Sequence, residues 1–496
     1  MARARLSAIG GYGGSAVLPG YDPADHGIGI VHFGVGAFHR AHQAAFTDDA
    51  LAAAGGDWRI AGVSLRGTAV ADALNPQDGL YTLIERDGAH ARGRIVASIA
   101  HVIAATRDRR APLEALLSPN VRVVTLSVTE KAYGIDRAAM TADVNHPAVA
   151  ADLANPANPA GVLGLLVEAL RLRKERGLPA FSVLCCDNLS DNGNLLRAGV
   201  VGFARRTDPA LADWIAGNVS FPASMVDRIT PAPTQRTLDD AAMLAGAHDL
   251  AAVETEPFRQ WMIEDRFSAG RPAWEAGGAL FVSNVRPYEQ LKLRILNGAH
   301  SLIAYAGFLA GHTYVRDAMA DPALATLVTR HVHAARLTLP ELPGIDLCRY
   351  CEDILARFRN PAIAHETSQI AMDGTQKLPQ RILLPAKEAL QTSEDWQPFA
   401  FATAAWMRYC LGRHDDHTTY ELRDHREAEI RTAIHGLRNA GDISDALHAL
   451  PGLFDATLRS NRDWRSAVAA RLHKMLENGM AAAITDEAST ASWFPH

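Results

Sequence analysis

The sequence has few cysteines, no block of positive charge and no long apolar run. Its 496 residues include five cysteines, an odd and sparse set that argues against a disulfide scaffold. The 49 basic and 55 acidic residues are spread along the chain, so no surface for nucleic acid is predicted. No stretch approaches the ~18 uninterrupted apolar residues of a membrane span, and the N-terminus lacks a signal-peptide pattern. These absences predict a cytoplasmic protein that binds neither nucleic acid nor membrane.

The apolar residues that are present are enough for a large folded core. Hydrophobic residues make up 48% of the chain and charged residues 21%, and the length suggests two domains or more. β-Branched runs alternate with helical patterns up to about residue 285, which indicates a parallel sheet covered by helices. These runs are residues 28–33, 58–64, 121–129, 181–187 and 280–285. Helical periods dominate afterwards, at residues 287–311, 322–338, 345–358, 396–411, 424–437 and 464–483. We therefore expect an α/β domain over residues 1–284 and a mainly α-helical domain over residues 285–496.

A tight glycine turn follows the first predicted strand and leads into a predicted helix. Its residues are Gly34, Val35, Gly36, Ala37, Phe38 and His39. Gly34 permits the turn, Gly36 lets the backbone approach a pyrophosphate, and the helix N-terminus favours its negative charge. His39 stands where the dinucleotide motif G-x-G-x-x-G has its third glycine, which normally allows close packing of helix and strand. The segment predicts a dinucleotide site, with a purely structural turn as the alternative.

The choice of dinucleotide depends on the end of the second strand. An acidic residue there would hold the adenosine ribose of NAD. The sequence instead has Arg66, Gly67 and Thr68. Arg66 could accept the 2′-phosphate of NADP or be a solvated loop charge, so NAD is expected and NADP stays open.

A polar cluster opens the predicted helical domain. At ~100° per residue, Glu289, Lys292, Asn297 and His300 fall on one side of a helix that is otherwise mostly Leu, Ile and Ala. The ordinary interpretation is the wet face of an amphipathic helix. The functional interpretation is alcohol oxidation, in which hydride leaves carbon, a base takes the hydroxyl proton and polar donors stabilise the alkoxide charge.

Three other motifs receive less weight. Tyr288 and Lys292 match the Y-x-x-x-K pair of short-chain dehydrogenases, but those chains are about half as long and have a differently spaced glycine turn. Cys348 and Cys351 form a C-x-x-C that we interpret as buried reduced thiols on an amphipathic helix, because no second pair completes a zinc site. His414 and His417 are expected in a solvated loop, so no metal is predicted.

Four segments together resemble one family of enzymes. They are IVHFGVGAFHRAHQAAFTDD, VTEKAYG at 128–134, SFPASMVDRITP at 220–231, and KLRILNGAHS with its K-x4-N-x2-H spacing; NPQDGLYTL at 75–83 adds to them. The sequence resembles the polyol-specific long-chain dehydrogenases, the mannitol dehydrogenase family. The resemblance implies an N-terminal expanded Rossmann dinucleotide-binding domain, a mainly α-helical C-terminal domain and a metal-free reaction with NAD or NADP.

The resemblance also implies roles for residues. Lys292 would be the general acid and base, Asn297 and His300 would orient the reacting oxygen, and Glu289 would guard a proton path. Asn188, Asp227 and Lys377 would bind substrate, although Asn188 could cap a turn and Asp227 could pair with Arg228. The glycine turn, Arg66, Thr129 and Glu130 would bind the cofactor.

The substrate is less defined than the reaction. Some relatives place an arginine near position 369, where this chain has Gln369, and a neutral amide cannot make the charge-assisted bonds of a guanidinium. Mannitol and fructose are the leading pair. Fructuronate and mannonate are the rival pair and would need an extra cation, for which Lys377, Arg381 and Arg294 are candidates. Other pentitols or hexitols, and a catalytically silent dinucleotide sensor, stay open; a monomer is expected.

Overall fold

The computed structural model describes residue 6 and residues 13–88, 90–362 and 365–490. The chain divides into two compact units, Met1–Arg286 and Pro287–His496. Within the described residues, the strands all belong to the first unit. They are β1 (Ile28–Phe33), β2 (Arg59–Ser64), β3 (Tyr81–Asp87), β4 (His90–Val96), β5 (Ile99–Ala104), β6 (Val123–Leu126), β7 (Ile135–Asp136), β8 (Thr141–Ala142), β9 (Ser182–Cys185), β10 (Ser224–Asp227), β11 (Val253–Thr255), β12 (Gln260–Glu264) and β13 (Leu280–Val282).

The helices of the first unit lie between these strands. They are α1 (Ala37–Ala41), α2 (Gln43–Ala54), α3 (Ala69–Leu74), α4 (Ala111–Leu116), α5 (Pro147–Ala154), α6 (Val162–Glu175), α7 (Asn192–Thr207), α8 (Pro209–Asn218) and α9 (Gln235–Ala245), with short 3-10 turns at Pro23–Asp25, Asn75–Gln77, Glu130–Ala132 and Trp274–Gly277.

A parallel five-stranded sheet forms the centre of the first unit, in the order β5-β2-β1-β6-β9. Successive side chains of β1 pack into different hydrophobic cores, because side chains alternate between the two faces of a strand. Val31 and Phe33 pack with helix residues such as Phe203, whereas Ile30 packs with Phe46 and its neighbours. Full burial of one such side chain contributes roughly 1.5–3 kcal/mol to folding. The chain adds β2 and β5 on one side of β1 and β6 and β9 on the other, so the direction of strand addition reverses between β1 and β6. Doubly wound sheets bind their ligands at such a point.

The predicted α/β fold class is confirmed, but the last predicted strand lies outside the parallel sheet. We expected residues 280–285 to join the parallel sheet, and that prediction is wrong. The strand β13 pairs instead with β12 in a separate sheet of order β10-β12-β13. Another separate sheet has the order β11-β3-β4, and β7 pairs with β8.

The second unit is helical, as predicted. Its α-helices are α10 (Arg286–Leu291), α11 (Gly298–Leu302), α12 (Val315–Ala320), α13 (Pro322–Leu337), α14 (Leu347–Arg359), α15 (Thr367–Ile370), α16 (Gly374–Leu378), α17 (Leu384–Thr392), α18 (Gln397–Tyr409), α19 (Glu427–Ile434), α20 (Ala440–His448), α21 (Ala456–Ser460), α22 (Arg462–Asn478) and α23 (Met480–Ser489). The predicted single helix at 464–483 is two helices, because Gly479 has a φ of +81° and ends α22.

In the part of the second unit that the structure describes, three π-helical segments interrupt the α-helices: Lys292–Asn297, Ile303–Gly307 and Pro379–Leu383. Such wide turns are rare and occur often at functional sites. Pro379 opens the third segment, where its missing N–H removes an ordinary α-helical hydrogen bond. The first segment begins and ends with predicted catalytic residues, Lys292 and Asn297, and His300 follows in α11. Over the described residues, no helix is long and apolar enough to cross a membrane.

Candidate active site

The glycine turn after β1 has the conformation that a dinucleotide site requires. Gly34 has a φ of +96°, and a Cβ there would lie 2.1 Å from the carbonyl oxygen of Ser127. Only glycine fits this position without strain. At Gly36 a Cβ would meet nothing within 4 Å, so the backbone of the turn faces open space. The turn at the end of β1 therefore fits the pyrophosphate of a dinucleotide.

The helix that follows the turn is shorter than predicted, and His39 packs in an unexpected way. The helix α1 stops at Ala41, His42 has a φ of −120° and a ψ of −89°, and α2 starts at Gln43. The His39 ring lies flat on the His32 ring of β1, with ring centroids 3.3 Å apart. The helix therefore contacts the strand through two stacked imidazole rings. In the dinucleotide motif, the third glycine would stand at this contact. Burial lowers the pKa of His32 to about 3 and that of His39 well below its ordinary value, so both rings are neutral.

Two other predicted cofactor residues lie at the same edge of the sheet. Arg66 is exposed, two residues beyond the end of β2. Thr129 follows β6 with a φ of +73°, which is an unusual conformation for a β-branched residue. Asp187, which follows β9, holds this turn by accepting hydrogen bonds from the Val128 N–H at 2.9 Å and the Tyr133 hydroxyl at 2.7 Å. Sequence reasoning missed Asp187. The side chain of Glu130 lies outside the part of the chain that the structure describes.

The two predicted substrate residues of the first unit follow the ends of β9 and β10. Asn188 is exposed, and Asp227 is the buried last residue of β10. The two strand ends are joined because Asn192 exchanges hydrogen bonds with the backbone of Ser224, at 2.7 and 3.0 Å. Arg228 forms an ion pair with Glu85, so the guanidinium next to Asp227 already has a carboxylate partner.

The predicted catalytic residues of the second unit are buried, which rules out the wet-face interpretation. Lys292, Asn297 and His300 are 8%, 9% and 7% exposed. Because Lys292–Asn297 is π-helical, angles at ~100° per residue do not apply across it. Among the described residues, none accepts a hydrogen bond from the buried amide nitrogen Nδ2 of Asn297. A buried donor without a partner is rare in folded proteins and indicates a place for a bound oxygen.

His300 lies in a cationic and aromatic environment. Burial lowers the pKa of His300 well below its ordinary value, and His365, Arg357, Arg381 and Lys292 add to this effect. Its ring centroid lies 4.6 Å from that of Phe358 and 5.2 Å from that of His365. The imidazole is therefore neutral, and one ring nitrogen can donate a hydrogen bond while the other accepts. The charges of Arg381 and Lys292 act on the His300 imidazole, so these groups lie within electrostatic range of the ring.

Lys377 and Arg381 belong to the same cationic group. Lys377 Nζ donates to the carbonyl oxygens of Ile370, at 3.2 Å, and Met372. Burial lowers the pKa of Lys377 to about 8, and the charge of Arg381 contributes. Arg381 Nη1 lies 3.3 Å from Ser301 Oγ, and within the described residues its guanidinium has no carboxylate partner.

The backbone also brings Arg381 close to the catalytic helix. A Cβ on Gly298 would lie 2.9 Å from the Arg381 carbonyl oxygen, so only a glycine between Asn297 and His300 permits this approach. Arg294, the third cation that the sequence proposed, forms an ion pair with Glu388. The sequence did not identify Arg357 or His365. Lys377 and Arg381 are four residues apart, a spacing that predicts neighbouring side chains on one helix face.

Glu289 and Tyr288 precede these residues on the same helix. Glu289 is partly buried in α10, three residues before Lys292. The Tyr288 hydroxyl donates to the Pro343 carbonyl oxygen at 2.8 Å, and burial raises the pKa of Tyr288. This contact gives Tyr288 a structural role. Among the described residues, no group of three or more His, Cys, Asp or Glu side chains is placed to hold a metal ion.

Comparison with known proteins agrees with this arrangement. The chain matches the models of the mannitol dehydrogenase Rossmann domain over residues 28–276 and of the mannitol dehydrogenase C-terminal domain over residues 284–476. It is 41% identical to the D-mannonate oxidoreductase of Escherichia coli over 468 residues, which cover 93% of this chain and 96% of that protein.

Two solved structures are similar over nearly the whole chain. A substrate-free D-sorbitol dehydrogenase has a TM-score of 0.90 and 33% identity, covering 97% of this chain and 100% of the other. The ternary complex of Pseudomonas fluorescens mannitol 2-dehydrogenase with NAD and D-mannitol has a TM-score of 0.80 and 34% identity, covering 97% and 98%. The chain thus belongs to the mannitol dehydrogenase family of oxidoreductases, and its first unit is the Rossmann domain of that family.

Proposed function

We propose that this enzyme interconverts an open-chain polyol and a 2-ketose with NAD, mannitol and fructose being the leading pair. The observation that carries the proposal is the buried group of Lys292, Asn297 and His300, with an amide donor on Asn297 that has no partner among the described residues. A family relative bound to NAD and D-mannitol supports it. We also propose that the enzyme acts as a monomer in the cytoplasm; light scattering on the purified protein tests the first of these two points.

The residues divide the chemistry of alcohol oxidation among them. Bound at the turn of Gly34 and Gly36, NAD would supply the acceptor for the hydride that leaves the carbinol carbon. Lys292 takes the hydroxyl proton, and in the reverse direction it returns this proton to the ketone oxygen. Asn297 Nδ2 and a nitrogen of the neutral His300 ring donate to the reacting oxygen and stabilise its partial negative charge. Glu289 relays the proton between Lys292 and solvent.

The remaining site residues hold the rest of the substrate. Asn188, Asp227 and Lys377 bind hydroxyl groups remote from the reacting carbon. Asp227 accepts hydrogen bonds from hydroxyls, whereas the ammonium of Lys377 donates them. Gln369 is exposed on α15 and offers a neutral amide.

A sugar acid is the second candidate substrate, and a specific observation favours it. Arg381 has no carboxylate partner within the described residues, although burial lowers its pKa to about 10 and it stays charged at neutral pH. A guanidinium in this state can bind a substrate carboxylate through two hydrogen bonds. The similarity to a D-mannonate oxidoreductase agrees with this alternative.

Initial rates distinguish the substrates. The enzyme is treated with EDTA and assayed with fructose and with fructuronate, using NADH and then NADPH. Rapid fructose reduction with NADH supports the polyol proposal, and activity on the uronate alone moves the substrate to the sugar acid. Lack of activity on a broad panel of ketoses and keto-acids would contradict both and favour a silent dinucleotide sensor.

Arg381→Gln tests the carboxylate contact directly. If a sugar acid is the substrate, KM for fructuronate should rise by roughly 10- to 100-fold, the value of a charge-assisted pair of hydrogen bonds. The KM for fructose should change much less. Arg359→Gln is the matched control, since Arg359 is an exposed arginine at the end of α14.

A further inference from the structure

The C-x-x-C motif spans the first two turns of α14, and its two cysteines differ in exposure. Asp346 precedes the helix and accepts hydrogen bonds from the N–H groups of Cys348, at 2.9 Å, and Arg349, at 3.1 Å. Cys351 is buried, as the sequence predicted, with 1% of its surface exposed. The prediction of a buried Cys348 is wrong, because this residue is exposed. Cys348 lies on the exposed face of the helix with Glu352, whereas Cys351 lies on the buried face with Ile354.

A guanidinium lies against the exposed sulfur. Arg336, in the last turn of α13, places Nη1 2.7 Å from Cys348 Sγ. Among the described residues Arg336 has no carboxylate partner, and its guanidinium donates a hydrogen bond to this sulfur. Cysteines that react as nucleophiles occupy partly exposed, electropositive surroundings of this kind, often at the start of a helix in a C-x-x-C sequence.

The second thiol has the properties of a resolving cysteine. Burial raises the pKa of Cys351 to about 12, Arg336 opposes this effect, and Cys348, Glu352 and Asp346 contribute to the rise. Cys351 is therefore a neutral thiol in the resting protein. Side chains three apart on a helix have Cβ atoms about 5–6 Å apart, so a small local movement brings them to disulfide distance.

We propose that Cys348 and Cys351 form a thiol–disulfide redox pair that reacts with low-molecular-weight disulfides. Nothing in the alcohol chemistry uses these cysteines. No group of three or more metal-ligating side chains is found in the described part of the chain, so a metal site does not account for the motif. The other cysteines, Cys185, Cys186 and Cys410, are buried and serve as internal controls.

The exchange balances in two steps. The Cys348 thiolate attacks one sulfur of the small disulfide, forms a mixed disulfide and releases one small thiolate. Cys351 then gives up its proton and attacks Cys348 Sγ, which forms the protein disulfide and releases the second small thiolate. The protein loses two electrons and two protons, and the small disulfide is reduced to two thiols.

Intact-mass spectrometry after incubation with oxidised glutathione tests the proposal without an activity assay. The wild-type protein should lose two hydrogen atoms and carry no glutathione, with the bond mapped to Cys348 and Cys351. Cys351→Ser should retain one glutathione on Cys348, and Cys348→Ser should stay unmodified. Circular dichroism checks that each variant is folded.

The contribution of the guanidinium is tested separately. Arg336→Gln should slow disulfide formation by roughly 3- to 10-fold, as expected when a cation beside the attacking sulfur is removed. Arg349→Gln is the matched control, because Arg349 is exposed next to Cys348 and does not contact its sulfur in the structure; it should leave the rate unchanged. Wild-type protein that keeps both thiols, or that accumulates a stable mixed disulfide at Cys348, would overturn the proposal.

Discussion

The imidazole rings of His32 and His39 lie face to face, with centroids 3.3 Å apart and planes inclined by 12°. Both rings are fully buried. His32 comes from the first strand and His39 from the helix after the glycine turn, so their stacking fixes the distance between strand and helix. A charged imidazolium at either position would be buried without water to solvate it. Burial therefore lowers the pKa of both rings and keeps them neutral.

Stability should fall as the pH drops below about 6.5, because the unfolded chain protonates histidines that the folded chain keeps neutral. The contribution is fully present above the unfolded pKa and is lost toward the folded pKa, which is about 3 for His32. Each such histidine lowers the free energy of unfolding by about 1.4 kcal/mol for each pH unit in this window. Urea unfolding at pH 7.5, 6.5 and 5.5 measures the slope, and His39→Gln should reduce it. An equal slope in the variant and the wild type would refute this explanation.

The two glycines of the turn should respond differently to alanine. Gly34→Ala forces a side chain into a φ of +96° and against Ser127, so it should destabilise the protein by about 2–4 kcal/mol. Gly36→Ala enters open space at a φ of −74°, so its free energy of unfolding should change by less than ~1 kcal/mol. Its Cβ would occupy the space for the pyrophosphate, and NAD should bind at least ~10-fold more weakly.

Urea unfolding and fluorescence titration with NAD measure these two effects. The pair serves as its own control, because each variant adds one methyl group to the same turn. Normal NAD affinity in Gly36→Ala would show that the cofactor does not approach the turn closely.

Lys377 should make substrate binding sensitive to alkaline pH. Burial lowers its pKa to about 8, so the ammonium loses its charge as the pH rises through that value. KM should therefore increase between pH 7 and 9.5. Lys377→Met should raise KM by about 10-fold at pH 7 and abolish the further increase, because the charged donor is already absent. A variant with the same alkaline increase in KM would assign that titration to another group.

The sequence predicts much of this fold because its strongest signals are local. The run from Ile28 to Phe33 followed by Gly34 and Gly36 specifies a strand and a tight turn with few alternatives. The break at His42 was not predictable, because the sequence around it has an uninterrupted helical pattern and tertiary contacts such as the bond between His42 Nε2 and the Gln260 carbonyl oxygen fix its conformation. The strand β5 was missed because its sequence, IAHVIA, does not alternate between polar and apolar residues.

The candidate site also combines features that local sequence predicts with features that depend on tertiary packing. Lys292, Asn297 and His300 were identified from their types and spacing, but their burial and the π-helical turns depend on packing that no local pattern encodes. Arg381 was one of three equivalent cations in the sequence. The structure separates it from Arg294, which is paired with Glu388.

The most direct test of the central claim is the turnover of Lys292→Ala. If Lys292 carries the proton in alcohol oxidation, kcat should fall by about 10²- to 10⁴-fold, whereas the Kd for NAD should stay within about twofold of the wild type. Tyr288→Phe, assayed in parallel, should retain most of its kcat because its hydroxyl is bonded to the Pro343 carbonyl. Near-normal turnover in Lys292→Ala, or a collapse of kcat in Tyr288→Phe, would contradict this account.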